Sequence, residues 1–519
     1  MKMGRADTDG FAWAGKMVRP LSDKGEGTPA SGLKRLFAVS KILGNEILRI
    51  SALGLYRIFI NGHRVGNDVL TPGWTNYDVR LSFQTYDVAD LLRVGENEIT
   101  IWVGDGWFRS PLMWIEERRV NVWGTRVAAI AEIRGGSGHD DILVATDDSW
   151  LSGETPVRKS QIYFGEIYDA RFALRFEQGV AMVDFDRNKL IAHECGAVQE
   201  LPALDPVAHW QDEQGRSIYD FGQNTAGYVR LSATAETDGN ILVEHAEILD
   251  QDGMFYNGNY RSAEAIIRVS SDARGLTDYS PHFTYQGFRY VRVTASEGVG
   301  IGRIQSVPIS SVPNSTASFR TGNPLVNRLF ENAVWSHRSN FVDVPTDCPQ
   351  RDERLGFSGD AQVFAGTACY LADSQDFLVK YVRELMVDQA EDGAISHISP
   401  HVVRVKPGKR RQAGSTGWGD AITVIPRRLY LQYGDRAILA EAFPAMIKWI
   451  DFVWSLTVDG IVRPPTTPGA RGYCLGDWLQ PKGPSSKPLP TIGDDAAATF
   501  YLFISTGYRC ARRPDHREG

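Results

Sequence analysis

Residues 343–360 read DVPTDCPQRDERLGFSGD. The stretch sets Asp343, Asp347, Asp352, Glu353 and Asp360 close together in sequence, with Arg351 and Arg354 among them and Cys348-Pro349 and Gly356 as backbone punctuation. Helical periodicity flanks it, in Leu325, Leu329, Phe330 and Val334 before it and Val363, Phe364, Cys369 and Tyr370 after it. It therefore reads as a loop held between two helices of a packed core. Such a loop holds several carboxylates in a set geometry.

Downstream of Val312-Pro313-Asn314-Ser315 the apolar period changes from 2 to 3.6, and helices are predicted near 323–341, 359–373, 375–390, 418–434, 437–456 and 494–508. Consecutive helices without strands between them predict an all-α domain of helical hairpins over 316–519. Upstream, from Leu36, short β runs follow one another: RLFAVS, EILRISAL, YRIFINGHRVG, ITIWVGDGW, VAAIAEI and DILVATD, with Asn61-Gly62 as a hairpin signal. They predict a β-sandwich or jelly roll over 35–175. A second β domain is expected over 176–315, where Phe283, Tyr285, Phe288, Tyr290, Val291 and Val293 alternate with one slip at Gly287. That slip marks a strand pair or a bulged strand. Residues 1–34, rich in Gly, Asp, Lys and Ser, are expected to be flexible. The polar, aromatic segment 161–171 reads first as an irregular connection packed on the sandwich and second as a loop reaching toward a ligand.

At 519 residues the length prior is about three domains. The net charge of -7 and a longest basic run of only Lys409-Arg410-Arg411 argue against a nucleic-acid partner and favour a neutral polar ligand. The N-terminus, MKMGRADTDGFAWAGKM, has no apolar core of signal-peptide length, and no segment reaches transmembrane length. A cytoplasmic protein without a membrane partner is expected. Cys195, Cys348, Cys369, Cys474 and Cys510 are scattered and lack C-x-x-C spacing, so they read as reduced thiols, with no metal or cofactor expected. His245 and Glu247 suit either metal ligation or a satisfied structural pair, the second being favoured. Asp250-Gln251-Asp252-Gly253 resembles part of a calcium loop but reads as a turn. Core packing accounts for most of the 13 Trp, 19 Tyr and 23 Phe, leaving a minority for stacking on sugar faces.

The segment DCPQRDERLGFSGD closely resembles the catalytic motif of bacterial α-L-rhamnosidases, glycoside hydrolase family 78, with Phe357 where Trp is usual. ALGLYRIFINGHRVG, LTPGWTNYD and VGDGWFR resemble that family's N-terminal β domain, YDFGQNTAGYVR and FTYQGFRYVRV its central β domain, and GSTGWGDAITVIP and LGDWL its barrel loops. The resemblance spans residues 35 to 500. It implies two β-sandwich, jelly-roll-like domains followed by a partial (α/α)6 barrel, and hydrolysis of terminal α-L-rhamnose with inversion. Such chemistry uses two carboxyl groups ~6.5–9.5 Å apart, an acid and a base. By resemblance Glu353 is the general acid, Asp347, Arg351 and Asp360 hold sugar hydroxyls and tune the acid, and Phe357, Trp418 and Trp478 line the sugar, with Asp420 and Asp477 beside the tryptophans.

The residues themselves agree with the acid role. A general acid must keep its proton at neutral pH, which burial and neighbouring negative charge favour, and Asp347, Asp352 and Asp360 supply such charge. Arg351 opposes it unless it is committed to a carboxylate or to the sugar. A helix-capping salt-bridge network is the plainer reading for Asp352 and Asp360, and barrel core the equal alternative for Trp418 and Trp478. Phe357 keeps a ring but has no indole N–H donor.

In one respect the chain departs from the family, whose general base is a Glu in the later half of the barrel. After Glu441 the only Glu is Glu518, in the tail RCARRPDHREG. The resemblance thus predicts a truncated or frame-shifted chain, with about six of twelve helices, no general base, and apolar helix faces open to water. Two functions are held side by side. One is an α-L-rhamnosidase acting on a rhamnose-containing glycoside or oligosaccharide, alone or as an oligomer; the other is an inactive fragment that only binds carbohydrate. A different inverting (α/α)6 glycosidase is disfavoured, because both β domains match as well as the barrel motif.

Overall fold

Alternation builds the first layers. The strands Ser31–Val39 and Gly95–Gly104 pair antiparallel from Ser31↔Val103 to Val39↔Gly95, and Leu33, Phe37, Val39, Ile99, Ile101 and Val103 all turn into the core. They lie in a five-stranded sheet. A seven-stranded sheet centred on Ala128–Gly135 and Ile47–Leu53 supplies Ala129, Ala131, Ile133, Leu48, Ile50 and Ala52 to the same cluster. Two sheets that share one core make a sandwich, each buried Ile or Leu contributing ~1.5–3 kcal/mol. The computed structural model that shows this describes residues 12–403, 413–466, 472–476 and 492–510.

The second β region is a ten-stranded sheet built on the strand Ser217–Ala235. Its first part pairs with Ala208–Gln211 and Gln286–Ala295, its second with Val299–Ser310 and Leu276–Tyr279, so it changes partners midway. The core here includes Phe221, Val229, Ile241, Val243, Val269, Phe288, Val291 and Val293. The slip expected at Gly287 lies on the facing strand. Pairing jumps from Asp220↔Tyr290 to Thr225↔Phe288, which leaves residues 221–224 as a bulge.

Two expected boundaries differ in the structure. The hairpin Val157–Gln161 and Gly165–Asp169 leaves the first domain and joins the ten-stranded sheet, parallel to Ile266–Ser271. Conversely Val180–Met182 and Leu190–Ala192, placed beyond the boundary at 175, pair into the seven-stranded sheet or along its edge. Segment 161–171 is thus mostly regular strand, because alternation marks a strand without naming its partner. The second correction concerns residues 1–34, expected to be flexible. Residues 1–11 lie outside the described residues, but Val18–Pro20 pairs with Val180–Met182, and buried Asp23 accepts from Arg109 Nη1 at 2.9 and 3.0 Å and from Val127 N at 3.1 Å. Composition does not reveal a buried ion pair.

The exchanged hairpin is anchored by Glu166, which is fully buried and accepts from Ser160 Oγ (2.9 Å), Tyr279 OH (2.9 Å), His282 N (2.8 Å) and His282 Nδ1 (2.9 Å). Burial alone pushes this carboxyl up, but His282 and the hydrogen bonds outweigh it and hold Glu166 below the ordinary range.

The chain divides into two compact units, Met1–Pro313 with Arg338–Asp343 and Cys348–Arg354, and Asn314–His337 with Val344–Asp347 and Leu355–Gly519. The second carries most of the helix Pro324–Asn340 and all of Ser358–Leu371, Gln375–Val387, Ala421–Tyr433, Arg436–Trp454 and Asp494–Cys510, each close to its predicted span. In Arg436–Trp454 the buried residues Ile438, Ala442, Ala445, Met446, Trp449, Ile450 and Val453 keep a 3.6-residue period. Asp435 caps this helix, accepting from Ala437 N and Ile438 N at 3.0 Å each; such a cap stabilises a helix by about 1 kcal/mol. Leu325, Leu329, Val363, Tyr370, Phe500 and Phe503 remain exposed, at 63% to 79%. Among the described residues no helix is long and apolar enough to cross a membrane.

Glu166 binds fewer protons in the native than in the unfolded chain, so its stabilisation is present at neutral pH and lost as pH falls from about 5 through its lowered native value. The urea midpoint of the wild type is expected to fall more steeply with acidification than that of Glu166→Gln. Parallel profiles would remove Glu166 as the cause.

Candidate functional site

The geometry of the 343–360 stretch starts from a pinch. Asp347 N donates to Leu355 O at 3.1 Å, and Leu355 N donates back to Asp347 Oδ1 at 2.9 Å. The loop so closed, Cys348–Arg354, belongs to the β unit. Upstream, Asp343 is buried, its Oδ2 accepting from Trp74 N and its N–H donating to Ser311 Oγ at 2.9 Å.

Within the loop Arg354 is 1% exposed. Its Nε donates to Arg351 O (3.1 Å), Nη1 to Ile162 O (2.9 Å) and Tyr285 O (2.6 Å), and Nη2 to Gln286 Oε1 (2.9 Å) and Gln350 O (2.7 Å). The rings of Tyr163 and Tyr285 lie 5.5 and 5.3 Å from its guanidinium carbon. Tyr163 also donates its hydroxyl to Glu353 O and accepts from Met113 N at 3.1 Å. The backbone of Glu353 is therefore tied to the β unit through both its own carbonyl and its neighbour's side chain.

Adjacent carboxylates meet different fates. Asp352, 1% exposed, accepts from Arg261 Nε (2.7 Å) at Oδ1, and from Ser262 Oγ and Arg118 Nη2 (3.3 Å) at Oδ2. Asp352 thus sits in a salt-bridge network, as its plainer reading expects, but caps no described helix. The Glu353 side chain is 13% exposed, and its Oε2 accepts from Arg261 Nη2 at 2.8 Å and lies 2.9 Å from Arg351 Nε. Arg351, assigned to the sugar, is thus paired with the acid candidate itself. Arg118, Arg261 and Ser262 carry no signal in the sequence, and Tyr163 falls in the 161–171 segment without being singled out, since contacts across 90 to 234 residues leave no local pattern.

In the helical unit, residues 356–360 start the helix Ser358–Leu371. Gly356 O accepts from Ser399 N (2.8 Å) and Tyr381 OH (3.0 Å), and a Cβ on Gly356 would lie 2.2 Å from Ser399 O, so no larger residue fits. Phe357, half-buried, bridges to Ile398 as the residue before the helix. Asp360 is exposed in the first helical turn, where the N-terminal partial charge favours a carboxylate. A Cβ on Gly359 would meet the Trp418 indole at 2.8 Å, so the small residue admits that ring to the same helix end. The structure therefore gathers Phe357, Asp360 and half-buried Trp418 there. The His397 ring lies 6.2 Å from that of Trp418, and its Nε2 accepts from Ser415 N at 3.1 Å; burial lowers its pKa to about 3, so the imidazole is neutral with its proton on Nδ1.

Asp420, expected beside the sugar, is instead structural. It is 0% exposed, its Oδ2 accepting from Gly417 N (2.7 Å) and its Oδ1 from Trp449 Nε1 (3.1 Å) and Ser505 Oγ (2.5 Å), while burial pushes the carboxyl up. Its acceptors face its own packing. Trp478 and Asp477 lie outside the described residues. His245 and Glu247 take separate partners. Burial lowers His245 to about 4 and its Nδ1 meets Ala265 O at 2.6 Å, while Glu247, raised by burial, accepts from Asn224 Nδ2 (2.9 Å) and Asn259 Nδ2 (3.2 Å). Asp250 closes a turn through Asp252 N and Met254 N, at 3.0 and 2.8 Å.

Comparison with known proteins gives matches in the same order along the chain. Residues 43–202 match the α-L-rhamnosidase N-terminal domain, 211–310 the bacterial α-L-rhamnosidase concanavalin-like domain, and 314–509 the bacterial α-L-rhamnosidase six-hairpin glycosidase domain. An α-L-rhamnosidase of Streptomyces avermitilis is 36% identical over 476 residues, 88% of this chain and 43% of that protein; one of Formosa agariphila is 32% identical over 498 residues, 92% and 50%. Among solved structures, S. avermitilis α-L-rhamnosidase complexed with L-rhamnose has a TM-score of 0.83 at 32% identity, covering 93% of this chain and 46% of that one. Native Aspergillus terreus α-L-rhamnosidase has a TM-score of 0.85 at 29% identity, covering 95% and 58%. The chain spans about half the length of the curated relatives it matches.

Two outcomes follow from the geometry. Arg354→Met strands five acceptors, three of them in fully buried bonds, and is expected to cost at least ~3 kcal/mol in urea unfolding, against ~1 kcal/mol for Tyr163→Phe; equal small losses would contradict the role given to Arg354. In nitrogen NMR, His397 is expected to stay neutral from pH 8 down to about 5, with Nδ1 protonated. A titration near the ordinary histidine value would show that the ring is not buried as described.

Proposed function

Since the chain belongs to the bacterial α-L-rhamnosidase family, we propose that it releases terminal α-L-rhamnose from α-L-rhamnosides, with Glu353 as the general acid. The observation that carries the reading is the acid loop itself: Glu353 keeps a partly open side chain while its neighbour Asp352 is sealed by three donors.

In this reading Glu353 gives its proton to the glycosidic oxygen as the bond to the anomeric carbon breaks. Water attacks that carbon from the opposite face and the configuration inverts; the second carboxyl group this chemistry uses is the family's late-barrel Glu, for which the sequence after Glu441 offers only Glu518. Asp347 and Asp360 take the sugar hydroxyls, and Arg351, 2.9 Å from Glu353 Oε2, tunes the acid. Phe357 and Trp418 offer rings to its C–H surface and to the methyl edge of the 6-deoxy sugar, a mixed lining that suits such a ligand. Asp420 has no part in it.

The test is hydrolysis of p-nitrophenyl α-L-rhamnopyranoside by the full chain. Glu353→Gln is expected to lose ~10²–10⁴-fold in kcat, and NMR should detect β-L-rhamnose as the first product. Folded protein that binds L-rhamnose without turnover would instead support a carbohydrate-binding role, and folded protein that does neither would end the reading.

A further inference from the structure

Arg261 belongs to the second β region, far from the acid in sequence, yet its guanidinium spans both carboxyl groups of the Asp352-Glu353 pair. Nε donates to Asp352 Oδ1 at 2.7 Å and Nη2 to Glu353 Oε2 at 2.8 Å. The backbone that presents it is unusual. Arg261 sits at φ 57°, ψ -115°, and Ala265 at φ 50°, conformations that residues with a β-carbon adopt only where the surroundings hold them.

Those surroundings are visible. Buried Tyr260 donates its hydroxyl to Gly287 O, Ala263 N donates to Tyr260 O at 3.0 Å, Ala265 N donates to Tyr163 O at 3.2 Å, and His245 Nδ1 meets Ala265 O at 2.6 Å. Ser262 adds its hydroxyl to Asp352 Oδ2. With the loop pinned at both ends and Nε locked on a sealed aspartate, the remaining freedom of the fork is small. Nη2 therefore decides where Glu353 Oε2 sits. Arg351 Nε lies 2.9 Å from the same oxygen, on a side chain 39% exposed against 41% for Arg261.

We infer that Arg261 is a positioning residue for the acid, an inference that rests on the role proposed above for Glu353. By holding Oε2, Arg261 turns Oε1 toward the leaving group as the oxygen that carries the proton. When that proton passes to the glycosidic oxygen, the C–O electron pair leaves with the oxygen, and the negative charge left on Glu353 is met by a guanidinium already in place. A lysine at 261 offers a point charge that does not span two carboxyl groups, so it restores part of the effect at most.

The experiment uses the full chain with two substrates that differ in their need for a proton. Fluoride leaves α-L-rhamnosyl fluoride with little acid help, whereas methanol leaves methyl α-L-rhamnoside only when protonated. The ratio of kcat on the methyl glycoside to kcat on the fluoride is expected to fall about tenfold or more in Arg261→Met, less in Arg261→Lys, and most in Glu353→Gln. An unchanged ratio in Arg261→Met, whether both rates fall together or neither does, would overturn the inference while leaving the proposed function standing. If the wild type turns over neither substrate, the proposed function fails, and the carboxyl-carbon NMR signal of Glu353, identified by its loss in Glu353→Gln, decides the positioning claim. Its displacement in Arg261→Met would support the claim, and an unmoved signal would refute it.

Discussion

A guanidinium buried without a carboxylate partner is tolerated only when every donor is met, because an isolated buried charge costs several kcal/mol. Arg354 satisfies that demand with four backbone carbonyls and one amide side chain, and two tyrosine rings cover it. The demand works in both directions. Ile162, Tyr285 and Gln286 come from the β region, and Gln350 and Arg351 from the acid loop, so all five must sit in place for every donor to be met. The backbone of Glu353 inherits its position from that agreement, and Tyr163 secures it from the other side.

The same constraint explains why neighbouring acids differ so much. Asp352 faces Arg261, Ser262 and Arg118 and is sealed; Glu353, one residue on, shares the Arg261 fork but stays partly open. Asp420 repeats the first case in the helical unit, where an indole, a hydroxyl and a backbone amide take up its oxygens. A carboxylate serves chemistry only where its surroundings leave an oxygen accessible, and residue type alone does not show which carboxylates those are.

Local periodicity carried much of the fold. Six helices lie close to their predicted spans because each repeats an apolar stripe, as Arg436–Trp454 does from Ile438 to Val453. The alternating strands of the first sandwich were legible for the same reason. Sheet membership was not, because the hairpin 157–169 and the strands at 180–182 and 190–192 look locally alike and differ only in distant hydrogen-bond partners. The order in residues 12–34 depends on Asp23 meeting Arg109, and the setting of the acid depends on Arg261, both long-range pairs. Asp420 was misplaced because a polar residue beside a tryptophan reads alike whether it points into the packing or out of it.

Tyr163, Arg261, Tyr285 and Gln286 all precede the acid loop in the chain. During synthesis at ~5–20 residues per second, the last strand of the sheet that holds them, Val299–Ser310, is joined about 2–9 s before Glu353. Where the β region folds as a unit before the helices, the loop is shaped against a template that already exists. A lesion in the β region that slows its assembly would deprive the acid of its mould at the moment of emergence, so damage far from residue 353 in sequence would surface as a defect in how the nascent chain matures.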